Sequence, residues 1–87
     1  MYTASYDEKW AEYFDKLEYS LQERVAKKIK KILEFPQKRH MKKSARYFVD
    51  EVGQYRLVYR IFEEQKEARF YFVGNHKEYE KWYKQFF

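Results

Sequence analysis

The sequence predicts an α+β domain in which an α-helical hairpin packs on one face of a small, mainly antiparallel sheet. Three observations carry this. Apolar residues recur at helical spacing in the first 35 residues and again near the C-terminus, whereas alternation with a period of two dominates residues 45–73. Helices and strands are thus segregated along the chain, as in α+β layer architectures. The chain has 87 residues with 2 Gly and 1 Pro, which suits one domain (1–87) with a small core and excludes a turn-rich barrel.

Each element has a local reason. Residues 2–6 (Tyr-Thr-Ala-Ser-Tyr) alternate and predict a first strand. Ser5 and Asp7 are good N-cap types for a helix that aligns Trp10, Tyr13, Phe14 and Leu17, with Glu8, Lys9, Glu12 and Asp15 outside. Ser20 and Glu23 match a capping box opening a second helix. There Leu21, Val25, Ile29, Ile32 and Leu33 form one apolar stripe, which ends before Pro36 because the residue ahead of proline avoids helical angles. The short spacing between the helices predicts an antiparallel hairpin.

Residues 36–44 read as a basic linker without periodicity, 45–49 as a short strand, and 50–53 as a turn containing Gly53. Residues 54–62 read as the central strand, 63–66 as a polar connection and 67–73 as the next strand, broken by Gly74-Asn75. Residues 76–87 read as a short helix or an ordered tail, with Tyr79, Trp82, Tyr83 and Phe86 at helical spacing. The apolar end, Phe86-Phe87, is expected to pack on the core or on a partner.

The central strand sets the two faces. Tyr55, Leu57, Tyr59 and Ile61 alternate with Arg56, Val58, Arg60 and Phe62, so one face offers a core and the other carries two arginines. With helices on one side only, the second face is expected to be open, with Arg56, Val58 and Phe62 on it, joined by Phe48 of the preceding strand. An arginine in mid-strand is rigidly placed, which suits it to hold an anion. On the pattern alone, an ion pair with Glu51 or Glu67 explains Arg56 equally well.

The net charge of +5 is localised. Residues 36–62 contain Lys38, Arg39, Lys42, Lys43, Arg46, Arg56 and Arg60 against Asp50 and Glu51, while acids and bases balance on either side of that segment. Such an excess is the electrostatic footprint of a polyanion binder. The bases of the second helix (Arg24, Lys27, Lys28, Lys30, Lys31) read first as a solvated face balanced by the acidic first helix, and second as an extension of the basic patch toward rRNA. There is no cysteine, and His40 and His76 lie far apart without clustered carboxylates, so neither a disulfide nor a metal site is expected. His40 reads as a surface loop residue. No apolar run approaches the ~20 residues of a membrane span, and the N-terminus has no leader pattern, so a cytoplasmic protein is expected.

The order of elements, the basic linker, the strand Gln54-Tyr55-Arg56-Leu57-Val58-Tyr59 and the tail Phe72-Val73-Gly74-Asn75-His76-Lys77-Glu78-Tyr79 resemble the RelE/ParE toxin superfamily. The tail is most similar to the RelE-like and HigB-like branches, and the resemblance covers essentially the whole chain. It implies a toxin of a type II toxin–antitoxin system, with a cognate antitoxin, mRNA and the ribosome as partners. RelE-like members cleave mRNA in the ribosomal A site without metal or cofactor. The resemblance sets Arg56 against the scissile phosphate. Arg46 matches a second basic position on the preceding strand if one residue is inserted in the turn, and the next basic position there falls on Phe48, a departure. His76 fits a C-terminal basic position. Tyr79 and Tyr83 both fit a tail tyrosine, and spacing does not choose between them.

RNA carries its own nucleophile. The 2′-hydroxyl loses a proton and attacks in line, the phosphorane gains charge, and the leaving 5′-oxygen takes a proton. Guanidinium groups such as those of Arg56 and Arg46 suit the charge, since they are planar, always protonated and fork onto phosphate. A histidine such as His76 suits the proton transfers, a role typically worth ~10²–10⁴-fold, and a tail tyrosine suits orientation of a proton or stacking on a base. Lys38, Arg39, Lys42, Lys43 and Arg60 are expected to contact the RNA backbone. Two alternatives stand beside this reading: a toxin of the same fold that inhibits DNA gyrase as ParE-like members do, and a non-catalytic RNA-binding module using exposed sheet aromatics.

Overall fold

The structure, a computed structural model, describes residues 1–35, 40–41 and 44–85, with backbone only at 40, 41, 44 and 45. Its elements run β1 (Thr3–Tyr6), α1 (Trp10–Phe14), α2 (Tyr19–Glu34), β2 (His40–Met41), β3 (Ser44–Val52), β4 (Tyr55–Phe62), β5 (Glu67–Asn75) and α3 (His76–Lys84). One five-stranded sheet has the order β1-β5-β4-β3-β2. Among the described residues only the β1–β5 pairing is parallel. The expected α+β class holds, and β4 is the middle strand.

Alternation along β4 explains the two cores. Leu57 and Tyr59 are fully buried against the apolar stripe of α2 (Leu21, Val25, Ile29, Ile32) and against Trp10 of α1, with Tyr55 and Ile61 at the margins. Phe70 and Val73 of β5 complete this layer. Fully burying a side chain of this kind contributes about 1.5–3 kcal/mol, so this layer dominates the stability. β5 carries one extra residue between Phe70 and Phe72, since Val58 pairs with Phe72 but Tyr59 pairs with Phe70. That bulge keeps Phe70 on the α2 side while Phe72 stays on the other.

The second face is not open. α3 lies across it, and Tyr79 and Trp82 pack on Val49, Val58 and Phe72. Val58 is fully buried there. The helical spacing of Tyr79, Trp82 and Tyr83 was a third layer, not a tail. Phe48 belongs to the α2 side, because it pairs with Tyr59 and its ring stands 5.9 Å from it.

Local expectations are corrected in five places. α1 is shorter than expected and has no side-chain N-cap bond; Asp7 instead accepts from the backbone N–H of Lys9 at 3.2 Å. α2 starts ahead of Ser20, because the N–H groups of Leu21 and Gln22 both bond the carbonyl of Glu18, and no side chain caps it. The linker contains a two-residue strand, β2, on the edge of β3. β3 absorbs Asp50 and Glu51, which leaves Gly53 and Gln54 as the hairpin loop between the pair Val52–Tyr55. β5 continues through Gly74 and Asn75, which pair with Arg56 and Tyr55. Pro36, Lys38, Arg39, Lys42, Lys43, Phe86 and Phe87 lie outside the described residues. Among the described residues no helix is long and apolar enough to cross a membrane.

Candidate functional site

The site is assembled where the β3–β4 turn meets the start of α3. A two-residue hairpin loop needs a left-handed residue, and Gly53 supplies it with φ of 61°. Three residues on, Arg56 projects from β4 between Glu51 of β3 and Gly74 of β5. Gly74 is a second required glycine. A Cβ built there would lie 2.6 Å from Phe72 Cζ and 3.0 Å from Glu78 Cβ, so a side chain would hold α3 away from the sheet.

The helix starts in a full capping box. The backbone N–H of Glu78 donates to Asn75 Oδ1 (2.9 Å), and that of Asn75 donates to Glu78 Oε1 (2.8 Å). The box fixes the direction in which α3 leaves β5. The Asn75 N–H, and after it Lys16 at 3.2 Å, hold the Glu78 carboxyl below the usual carboxylate range despite its partial burial.

This geometry brings Arg56, His76 and Tyr79 together. The Arg56 guanidinium carbon stands 5.2 Å from the Tyr79 ring centroid, a cation–π contact, and Nη1 is 3.9 Å from Glu51 Oε1. Its side chain is 29% exposed, so the charge reaches solvent. Arg56 and His76 line one open cleft of about 570 Å³ together with Gln54, Lys77 and Glu51. The His76 side chain is 62% exposed, and its Nε2 lies 2.8 Å from Glu80 Oε1. Tyr79 is buried beneath Arg56, with Tyr83 edge-on at 5.2 Å. Burial pushes the Tyr79 hydroxyl up; Arg56 opposes this and Tyr83 adds to it. The tyrosine is therefore neutral near pH 7.

Other expected residues stand elsewhere. Arg60 lies four residues further along β4, about 13 Å at the rise of a strand. It sits over the rings of Phe62 (4.8 Å) and Tyr47 (5.8 Å), beside the cross-strand residue Arg69. Arg46 shares the parity of Phe48 on β3, so alternation turns it to the side opposite Arg56. Neither Tyr79 nor Tyr83, which stands edge-on to it, lines the cleft; Tyr79 reaches the site through its ring under Arg56. Lys77 and Gln54 were not singled out in the sequence. The signal for Lys77 was its place beside His76 at the start of a helix; for Gln54, its place in a tight turn next to Arg56. Among the described residues no group of three or more metal-ligating side chains is gathered.

Chemically, the cleft is lined by a guanidinium, an ammonium and an imidazole, with one carboxylate, Glu51, 3.9 Å from the guanidinium. Comparison with known proteins agrees in architecture. The isolated E. coli RelE toxin is 22% identical, with all of both chains covered and a TM-score of 0.77. The intact E. coli RelBE toxin–antitoxin complex contains a chain 24% identical, covering 86% of this chain and 96% of that one, with a TM-score of 0.77. A chain of the Mycobacterium tuberculosis RelBE2 toxin–antitoxin complex is 22% identical, covering 86% and 91%, with a TM-score of 0.70. These likenesses show a common fold. No curated protein matches by sequence. Residues 1–79 match the model of the ParE toxin of the type II toxin–antitoxin system parDE. The chain therefore belongs to the ParE toxin family of type II toxin–antitoxin systems, within the RelE/ParE superfamily.

Proposed function

We propose that this toxin is an endoribonuclease that cuts mRNA in the ribosomal A site by attack of the 2′-hydroxyl, without a metal ion. The observation that carries the reading is Arg56, held near the start of β4 beside the β3–β4 turn, at a solvent-open cleft that it shares with His76 and Lys77. The 2′-oxygen bonds to phosphorus as the bond to the 5′-oxygen breaks, leaving a 2′,3′-cyclic phosphate and a 5′-hydroxyl. Arg56 and Lys77 hold the charge that builds on the non-bridging oxygens. His76, oriented by Glu80, handles proton transfer. Tyr79 acts as the platform under Arg56. Arg46 contributes from the other side of β3, Arg60 is a backbone contact further along β4, and Lys38, Arg39, Lys42 and Lys43, which lie outside the described residues, are proposed as further backbone contacts. A cognate antitoxin, in the manner of the RelBE complexes, is proposed to hold the toxin inactive.

A second reading is favoured by the family match itself: a ParE-type toxin that inhibits DNA gyrase. Primer extension on translated mRNA after induction separates the two. Codon-phased cuts are the expected result. Intact mRNA with stalled replication removes the ribonuclease reading and supports the gyrase one.

A further inference from the structure

α2 carries a basic stripe that the cleft does not use. Arg24, Lys27, Lys28 and Lys31 stand at i, i+3, i+4 and i+7, so they share one side of the helix, beside the buried side formed by Leu21, Val25, Ile29 and Ile32. The stripe spans about 10 Å along the helix axis. With Glu51, Val52 and Gly53 it lines an open groove of about 530 Å³.

The groove and the Arg56 cleft are neighbours, since Glu51 and Gly53 line both. Arg24 stands at the junction. A Cβ built on Gly53 would lie 2.7 Å from Arg24 Nη2, so the glycine leaves the space that the guanidinium occupies over the turn. Lys28 is partly committed, 3.7 Å from Asp50 Oδ1. Arg24, Lys27 and Lys31 are therefore the groove-lining cations of the stripe other than the one held by Asp50. The way out of the Arg56 cleft over Gly53 leads to these three cations, since Glu51 and Gly53 line both depressions. Cations in a row without convergent hydrogen-bonding groups suit phosphates, which fix position without reading bases.

We propose that Arg24, Lys27 and Lys31 hold the phosphate backbone of the same RNA strand that meets Arg56, on the side that exits over the β3–β4 turn. The inference rests on the ribonuclease reading and assigns that site its flanking strand. It also revises the expectation that these bases are an ordinary solvated face.

The test uses the full chain and a fluorescent single-stranded RNA that is 2′-O-methylated throughout, so that it is bound but not cut. Anisotropy titrations at several salt concentrations give the slope of log K against log salt. Each single-strand phosphate contact contributes about 0.7 to that slope, so Arg24→Ala/Lys27→Ala/Lys31→Ala is expected to lower it by about 2 and to weaken binding. Lys30→Ala, on another side of α2, leaves the slope within error. Alanine favours helix at exposed positions, and thermal melts check the fold; Lys27→Ala/Lys31→Ala gives the same reading at about two-thirds of the effect if the triple variant does not fold. An unchanged slope in the folded variants, or no RNA binding by the wild-type chain, overturns the proposal. Unchanged RNA binding with loss of a polyglutamate peptide also overturns it and assigns the stripe to an acidic protein segment. Cleavage is followed separately by primer extension in cells. Cut mRNA with an unchanged slope sinks the stripe alone; a lowered slope with intact mRNA keeps the stripe as an RNA contact and sinks the ribonuclease reading.

Discussion

The guanidinium of Arg56 rests over the ring of Tyr79, 5.2 Å from its centroid, so the cation at the cleft is held by the third layer of the fold as well as by its strand. β4 fixes where the side chain starts and α3 fixes where it ends. Arg56→Ala is expected to lower mRNA cleavage about 10²–10³-fold, the usual loss of one preorganised charge-stabilising group. Growth inhibition on induction disappears with it. The melting temperature stays close to wild type, because the side chain lies outside both cores. Arg56→Lys keeps the charge but not the fork, and recovers only part of the activity. Full toxicity of Arg56→Ala rejects the proposed site.

The His76 and Tyr79 roles separate by substitution. His76→Gln removes the proton-transfer group from an exposed helix start, with an expected loss of about 10²-fold or more in cleavage and little change in melting. Tyr79→Phe keeps the platform under Arg56 and is expected to retain activity within about tenfold, since Phe also supports a cation–π contact. Tyr79→Ala empties part of the α3 core and costs about 3–5 kcal/mol, the range for truncating a buried aromatic. Loss of cleavage in Tyr79→Phe as large as in His76→Gln reassigns proton donation to the tyrosine.

The capping box at α3 makes an acid-sensitive contribution to stability. Asn75→Ala is expected to cost about 1 kcal/mol, or a fall of about 4–8 °C in melting temperature for a domain of this size. The pH dependence has a definite sign. Glu78 is held below its ordinary value of 4.5, so the folded state binds fewer protons than the unfolded state near that pH. Its contribution is fully present above about 4.5 and fades as the pH falls below it. The gap between wild type and Glu78→Gln, measured by denaturant titration, closes toward acid; a gap independent of pH removes the charge from the explanation.

On the alkaline side the sign reverses. Burial pushes up the hydroxyls of Tyr47, Tyr59 and Tyr79, most strongly Tyr59, which is fully buried. The unfolded chain releases these protons near pH 10 while the folded chain keeps them. The contribution of these tyrosines is therefore flat through neutrality and declines as pH rises above ~10. Tyr59→Phe flattens that decline, read from the denaturant midpoint between pH 8 and pH 11.

Much of the fold was legible because β4 obeys a period of two and α2 a period near 3.6: the buried residues of α2 follow its spacing, and alternation along β4 sends Leu57 and Tyr59 to one core and Val58 to the other. What the spacing did not reveal was α3 as a cover for the second face. Tyr79, Trp82 and Tyr83 had the periodicity, but the length of a terminal segment does not say whether it folds back. The capping signal misled for a related reason. Ser20 and Glu23 have the right types, yet the backbone of Glu18 opens α2 earlier, while the box that forms is Asn75 with Glu78. Arg56 was legible as a fixed cation on an outward-facing strand position. The separation of Arg46 from it was not, because one residue of register decides which face a strand residue meets.

Gly74 tests the link between packing and chemistry most directly. It pairs with Arg56 in the sheet and sits under Glu78 of α3, with no room for a methyl group: Phe72 Cζ and Glu78 Cβ would lie 2.6 and 3.0 Å from it. Phe72 is buried between Tyr13, Tyr79 and Trp82, so its ring has little freedom to yield. α3 must then shift outward, which also lifts Tyr79 from beneath Arg56. Gly74→Ala is expected to cost about 1–3 kcal/mol, the usual penalty of overpacking. Cleavage per folded molecule falls as well, because the guanidinium loses its platform while remaining in the chain. The reverse combination, lowered stability with unchanged cleavage by the folded fraction, shows that Arg56 is positioned by its strand alone and that the contact with Tyr79 serves only to hold α3 on the sheet.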